Sequence, residues 1–362
     1  MEFIGIDLHK KESQICILSE LGELVLEERI KTDRDEFKKM FAERGLCRIV
    51  LESSTESEWV ATCLEATGCE VVVADPNFAP MYATRSKKVK TDKRDARALA
   101  DACRLGGYRK AHRSSAGQRQ VRAQLTVREA LVRTRTRYIA VARAMVRQQG
   151  LRVGSGGAEG FSARLGKLEL PQEMTETLKP LVALLKKLNQ QIEKADRRIA
   201  LGNRKDKRCV RLQTAPGVGP ITAAAFVSTI DDAARFKNAH QVEAYVGLVP
   251  SERSSGEKQN RGGITKAGPP RLRWLLVQAA WGIVRSKGTE SAPLRNWTLN
   301  IVKRRGYKVG VVALARKLCG IMFAMTRDER DFEWTKATGG GAVGVSEQWQ
   351  ALLAGPAAQA TT

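Results

Sequence analysis

Long apolar runs, paired cysteines, histidine and acidic residues are all scarce in this sequence. No stretch of about 18 consecutive apolar residues occurs, so no segment is expected to span a bilayer. The N-terminus, MEFIGIDL, reads as a strand and lacks the charged-then-apolar order of a secretory leader. Seven cysteines, at 16, 47, 63, 69, 103, 209 and 319, are scattered, and none stands in a CxxC pair. This argues against a disulfide framework and against a structural zinc site, and predicts reduced, mostly buried thiols in a cytoplasm. The three histidines, His9, His112 and His240, offer no HxxxH metal spacing. Acids number 39 against 62 Lys and Arg, which leaves a formal charge of +23. A chain this basic repels itself unless a polyanion neutralises it, and nucleic acid is a better candidate than an anionic membrane surface.

What is present divides into segments. Residues 1–105 alternate short β-rich runs (3–8, 14–19, 23–29, 47–51, 70–74) with helix candidates (33–44, 57–67, 93–105). Three strands in meander followed by α-β-α-β give an α/β domain with a mixed sheet, an order that resembles the ribonuclease H-like fold. Residues 116–150 keep a helical apolar stripe (Val121, Leu125, Val132, Ile139, Ala142, Val146) among arginines. Between Arg109 and Arg147 stand eleven Lys or Arg and one acid, Glu129, a local excess of ten. Such one-sided charge lacks the i,i+4 acid partners of a merely solvated helix and reads as a nucleic-acid surface, with Arg119, Arg122, Arg128, Arg133, Arg137 and Arg143 as its contacts.

Residues 151–170, with Gly154-Ser155-Gly156-Gly157, read as a linker. Leu181, Leu184, Leu185, Leu188, Ile192, Ala195 and Ile199 then repeat at helical or near-heptad spacing, which suits either a hairpin partner for the arginine helix or a dimerising coiled coil. The expected division is a catalytic domain at 1–107, an arginine-rich helical region at 108–205, a mainly α domain at 206–335 and a disordered tail at 336–362.

Four acids carry the chemistry. Asp7 lies within the first strand, where an acid is unfavourable without a task, and Glu52 ends the fourth. In ribonuclease H-like order these strands are neighbours and the two acids converge. Asp92 and Asp95, spaced i,i+3, share one face at a helix start, where each alone would be an ordinary helix-terminus acid. Four carboxylates together need a cation, and an oxygen-rich, histidine-free set suits Mg²⁺ or Mn²⁺. His9 is two residues from Asp7, and a surface or strand-edge place suits it better than a metal site.

Gly5-Ile6-Asp7-Leu8-His9-Lys10, Leu51-Glu52-Ser53 and Lys90-Thr91-Asp92-Lys93-Arg94-Asp95-Ala96 resemble the motif blocks of the DEDD transposase family of insertion sequences. That family includes the Piv DNA invertases and bridge-RNA-guided recombinases, and its N-terminal domain is similar to the Holliday-junction resolvase RuvC. The match runs from about residue 3 to 330, and Lys-Thr-Asp-x-x-Asp-Ala is its most specific N-terminal block. The resemblance implies that Asp7, Glu52, Asp92 and Asp95 are catalytic, metal-binding acids and that the substrates are DNA element ends and targets. It also implies a structured noncoding guide RNA and a homodimer or tetramer.

In the second half, Pro216-Gly217-Val218-Gly219-Pro220 is a glycine-pivoted turn similar to that of helix-hairpin-helix modules, where Gly217 and Gly219 would offer backbone N–H groups to a phosphate; a plain interhelical turn is the alternative. A Gly-rich loop with Arg253, Lys258, Arg261 and Lys266 suits a backbone phosphate, and by chemistry alone its serines are hydrogen-bond donors. The Gly-Leu-x-Pro, Ser-Gly and Ile-Thr-Lys-x-Gly blocks resemble the second conserved domain of the same family, which implies that Ser255 is the attacking residue, with Ser254 its adjacent rival. Ala267-Gly268-Pro269-Pro270 departs from the Gly-Asn type turn usual in that family and puts the local loop geometry in question. Two other readings are a metal-only junction nuclease, which would need the acids and not Ser255, and a nucleic-acid-binding regulator with merely structural acids.

Overall fold

Short β-rich runs, nearly continuous in apolar residues where both faces are covered, make five strands of the N-terminal segment: β1 (Glu2–Leu8), β2 (Glu12–Leu18), β3 (Leu24–Lys31), β4 (Cys47–Glu52) and β5 (Glu70–Ala74). The computed structural model describes residues 1–82, 91–252 and 260–333, and the chain divides into two units, Met1–Arg113 and Ser114–Thr362. In the first unit the sheet order is β3-β2-β1-β4-β5, with the first three strands antiparallel and β1–β4 and β4–β5 parallel. Strands one and four are therefore neighbours, as expected.

Three helices cover the sheet. α1 (Arg34–Phe41) and α2 (Ser57–Glu65) pack Phe37, Phe41, Val60 and Leu64 against Ile4, Ile6, Ile15, Ile17, Ile49 and Leu51. α3 (Asp92–Leu105) covers the opposite face, with Ala96 and Ala100 on Cys16 and Leu18, and Leu99 and Cys103 on Val50 and Val72. Gly5 sits directly beneath α3. A Cβ there would overlap the Ala96 carbonyl oxygen and the Ala100 backbone nitrogen, so only glycine lets helix and strand approach this closely. Thr91 caps α3 by accepting from the Arg94 N–H at 3.4 Å, and Gly106, at φ +67°, ends it.

The second unit is mainly helical. α4 (Ala116–Gln148) and α6 (Gln172–Asn203) run antiparallel, joined through α5 (Phe161–Leu165). α6 buries Leu178, Leu185, Ile192 and Ile199, one residue in seven, while Leu184 stays half exposed. The leucine stripe thus serves a hairpin within the chain. At the hairpin's tip, Ala142, Val146, Phe161, Leu165, Leu178 and Leu185 form their own cluster. The glycine-rich linker is tied to it by Arg164, which donates to the carbonyls of Gly154 at 3.2 Å and Gly157 at 2.6 Å. At the other end Leu125 and Ile199 join the main core around α8 (Pro220–Ile230), whose residues from Thr222 onward are all buried.

Packed on α8 are α7 (Lys207–Leu212), α10 (Pro270–Arg285) and the hairpin, with α9 (Ala239–Val246) and α11 (Ala292–Arg327) completing the core. α11 breaks at Gly306 (φ 79°, ψ 164°). A segment of mean hydropathy 1.6 within Thr289–Arg327 is long and apolar enough to cross a membrane by composition, but 72% of it is buried in this core. All seven cysteines are buried and free, as expected, and burial pushes the Cys16 thiol up to about 11 and those of Cys103 and Cys209 to about 12. The tail at 336–362 lies outside the described residues.

Gly5→Ala should destabilise the N-terminal unit by about 3 kcal/mol in urea unfolding, because the overlapping neighbours are backbone atoms that cannot turn aside. Gly45→Ala, at a position with open space around the added methyl, should leave the midpoint nearly unchanged.

Candidate active site

Register fixes two of the four acids. Ile6 pairs with Leu51 across the parallel β1–β4 ladder, so Asp7 and Glu52, each one residue further on, stand level at the carboxyl ends of adjacent strands. Side chains alternate along a strand, so Asp7 shares the α3 face with Gly5, and Glu52 shares it with Val50. The first turn of α3 supplies Asp92 and a buried Asp95, an arrangement favoured by the partial positive charge of a helix N-terminus.

Asp7 and Asp92 meet through His9. Its Nε2 lies 3.3 Å from Asp7 Oδ2 and 3.6 Å from Asp92 Oδ1, and one ligand atom from each residue falls within 4.8 Å of the others. Around a cation bound at 2.0–2.2 Å, neighbouring and opposite octahedral ligands stand roughly 3 and 4 Å apart, so this trio fits a small divalent ion with slight closure. Glu52 and Asp95 lie on the same face but outside that trio. His9, exposed just after β1, stands within hydrogen-bonding reach of two of the acids read from the sequence, Asp7 and Asp92.

Arg29 of β3 also enters. It donates to Asp92 Oδ2 at 2.6 Å and faces Glu12 Oε2 and Gln14 Oε1 at 3.5 Å each. With His9, Lys10, Lys11, Glu12, Gln14 and Asp92 it lines an open cleft of about 340 Å³. A cleft with both carboxylates and cations can hold a metal and the phosphate oxygens it would neutralise.

In the second unit, β6 (Pro250–Glu252) pairs antiparallel with β7 (Arg261–Ile264), Glu252 opposite Arg261. This ribbon brackets 253–259, so Arg253, Ser254, Ser255 and Lys258 lie outside the described residues. Backbone and arginine hydrogen bonds hold the base of the ribbon. Gly247, at φ +75°, closes α9 with a Schellman pair: Gly247 N–H to Ala244 O and Leu248 N–H to Glu243 O, each 2.9 Å. Gly268, at φ +67°, packs so tightly on the Tyr245 carbonyl that a Cβ would overlap it. Arg273 donates to the carbonyls of Val246 and Ala267, both at 2.8 Å. The Ala267–Gly268 turn therefore has definite geometry, and Lys266 stands exposed beside it at φ +56°.

The predicted nucleic-acid contacts separate into two sets. Arg122 donates to the Ser228 carbonyl at 2.7 Å, Arg128 pairs with Asp196 of α6, and Arg119 donates to the Ser114 carbonyl. Arg133, Arg137 and Arg143 are exposed, although Arg133 has Glu129 as an i,i+4 partner and Arg143 lies over the Phe161 ring at 5.7 Å. Acid partners for the helix thus come partly from elsewhere in the fold. In the glycine turn, Gly217 needs its positive φ of 74° and its closeness to the Ala279 carbonyl, while Gly219 is exposed with open space around it and precedes α8.

An acid-and-histidine group at the carboxyl ends of parallel strands is a candidate metal centre, and on so basic a chain it suits a protein that acts on nucleic acid. Comparison with known proteins is more specific. The profile of the IS116/IS110/IS902 transposase family matches residues 209–294, and a DEDD transposase profile matches 4–149. The chain is 30% identical over 332 residues to a Pseudomonas aeruginosa protein named "Probable family 20 transposase", covering 90% of this chain and 97% of that one. It is 28% identical to the transposase for insertion sequence element IS1111A of Coxiella burnetii (91% of each chain) and 29% to that for IS1328 of Yersinia enterocolitica (89% and 96%). The chain belongs to the IS116/IS110/IS902 family of transposases.

Mn²⁺ titration followed by electron paramagnetic resonance tests the cluster. Wild type should bind the ion, and Asp7→Asn with Asp92→Asn should abolish binding. His9→Gln should weaken it by roughly 10- to 100-fold. Unchanged binding by the double variant would exclude these residues as ligands.

Proposed function

We propose that this transposase cuts and rejoins DNA with two groups of residues: Asp7, Glu52, Asp92 and Asp95, which hold Mg²⁺ or Mn²⁺, and Ser255, which attacks the phosphodiester. The observation that carries the reading is the convergence of Asp7 and Glu52 with the first turn of α3 on one face of the sheet. The strand order supports a ribonuclease H-like, RuvC-like assignment for 1–107, with 206–335 as the serine-carrying domain. The metal would supply charge neutralisation at the phosphate. His9 and Arg29 orient and balance the carboxylates that hold it.

The serine conserves the energy of the broken bond. Ser255 Oγ gives up its proton and bonds to phosphorus as one sugar oxygen leaves and takes a proton. A sugar hydroxyl of another strand then reverses the step, rejoining DNA and freeing the serine. Attack by water would instead leave a free end. Arg253, Lys258, Arg261 and Lys266 carry the charge that would stabilise the transition state. Arg133, Arg137 and Arg143 of the hairpin contact DNA or a structured guide RNA, and the working form is a homodimer or tetramer.

Labelled element-end DNA on a denaturing gel, with mass spectrometry of the linked peptide, tests the serine. Ser255→Ala should eliminate both covalent adduct and strand exchange, and Ser254→Ala should retain some of each. Free cut ends at the normal rate from Ser255→Ala would favour a metal-only nuclease. Asp7→Asn should abolish cleavage by either route while the protein stays folded.

A salt titration of nucleic-acid binding separates the arginines. Replacing Arg133, Arg137 and Arg143 with Gln should lower the log–log slope by roughly 0.7 to 0.9 per lost phosphate contact. Arg128→Gln should act mainly on stability, since Arg128 ties α4 to Asp196.

A further inference from the structure

We propose that the exposed face of α10, together with the break in α11, binds an unpaired DNA strand by stacking its bases on Trp274 and on the Trp281–Tyr307 pair. Trp274 and Trp281 are seven residues apart on one helix and so share a face. The opposite side of α10 is buried through Leu272, Leu276, Ala280 and Ile283. Trp274 is 55% exposed and Tyr307 54% exposed, unusual for side chains of this size. Tyr307 follows Gly306, whose φ of 79° breaks α11 and presents the ring against Trp281, centroids 6.3 Å apart and planes within 14°.

Charge decides what such a face accepts. Arg285 lies over Trp281 at 5.0 Å, and Lys303, Arg304, Arg305 and Lys308 are all exposed beside Tyr307 in sequence. None of these five cations pairs with an acid among the described residues. Glu290 is the one acid in the sequence between Arg261 and Arg327. Trp274 and Tyr307 are the open rings, while Trp281, half-buried against the core, backs the Tyr307 ring. Exposed rings beside unneutralised cations are the elements of a single-strand site: cations follow the phosphates, and rings take bases of any sequence. An apolar or basic protein partner would leave these charges uncompensated. Duplex bases are already stacked and would not engage the rings.

This inference rests on the family's action on DNA, whose strands must part from their partners when exchanged, and not on the metal or serine reading. The test uses the full chain and anisotropy of labelled 20-nucleotide probes: thymidine DNA, an abasic strand of equal length, a duplex and uridine RNA. Thymidine DNA should bind more tightly than the abasic strand, a difference that isolates the bases because hairpin arginines see the same phosphates in both. Trp274→Leu and Tyr307→Leu should each weaken thymidine binding by roughly 5- to 150-fold and leave abasic binding unchanged. Tyr307→Phe should restore wild-type affinity, and unchanged thermal midpoints would confirm folding. Equal affinity for thymidine and abasic strands, equal weakening of both by the Leu variants, or tighter binding of duplex would overturn the proposal. Tighter binding of uridine RNA would overturn its assignment to DNA. None of these outcomes depends on cleavage, so failure here is distinct from failure of the catalytic reading.

Discussion

The close approach of α3 to β1 over Gly5 is the contact on which the acid site depends. A helix normally rests on a sheet through a layer of side chains. Here a strand residue with no side chain lets the backbones meet, and Ala96 and Ala100 keep the helix equally thin on its side. Because Asp7 is two residues beyond Gly5 on the same face, the contact that anchors the helix also fixes how near its first turn comes to the strand's carboxylate. Glu52 is held by a separate constraint, the parallel register of β4 on β1. Helix packing and strand pairing, two unrelated forces, thus specify one constellation.

The excess of positive charge has a division of labour. Arg122, Arg128 and Arg273 fasten helices to one another through carbonyls or a carboxylate. Arg135 is buried on α4 and is held by Glu159 at 2.8 Å and by the Asn189 side-chain oxygen at 3.1 Å, without which its charge would be costly inside the hairpin. Other cations, such as Arg137, Lys303 and Arg304, remain at the surface. Net charge announces a polyanionic partner, but only the partner list of each guanidinium shows which arginines are available to it.

This explains what could be read from the sequence. The strands and helices of the first unit were legible to within a few residues because each is a local pattern: Ile4 and Ile6 alternate with Gly5 and Asp7 across two faces. Asp7 and Glu52 were legible together because their strands are parallel neighbours in the expected order. The nearness of His9 to Asp7 could be read from their spacing, but its contact with Asp92 could not, since Asp92 is remote in sequence and only packing over Gly5 brings it near. The structural roles of Arg122 and Arg128 were hidden for the same reason, their partners Ser228 and Asp196 lying on later helices. The leucine stripe of α6 left its partner open because heptad spacing is identical for an internal hairpin and an intermolecular seam.

The α4–α6 hairpin has two hydrophobic anchorages rather than one: Leu125 and Ile199 belong to the main core, while Ala142, Val146, Leu178 and Leu185 close on Phe161 and Leu165 at the tip. Between them, Arg135 and its polar partners interrupt the apolar seam. Cooperativity does not pass easily through a polar layer, so the tip should open as its own unit, with amide-exchange protection set by the smaller cluster and lower than that of α8. The arm can therefore fray and re-close at its end while its root, and the helices that carry the β6–β7 ribbon, remain folded.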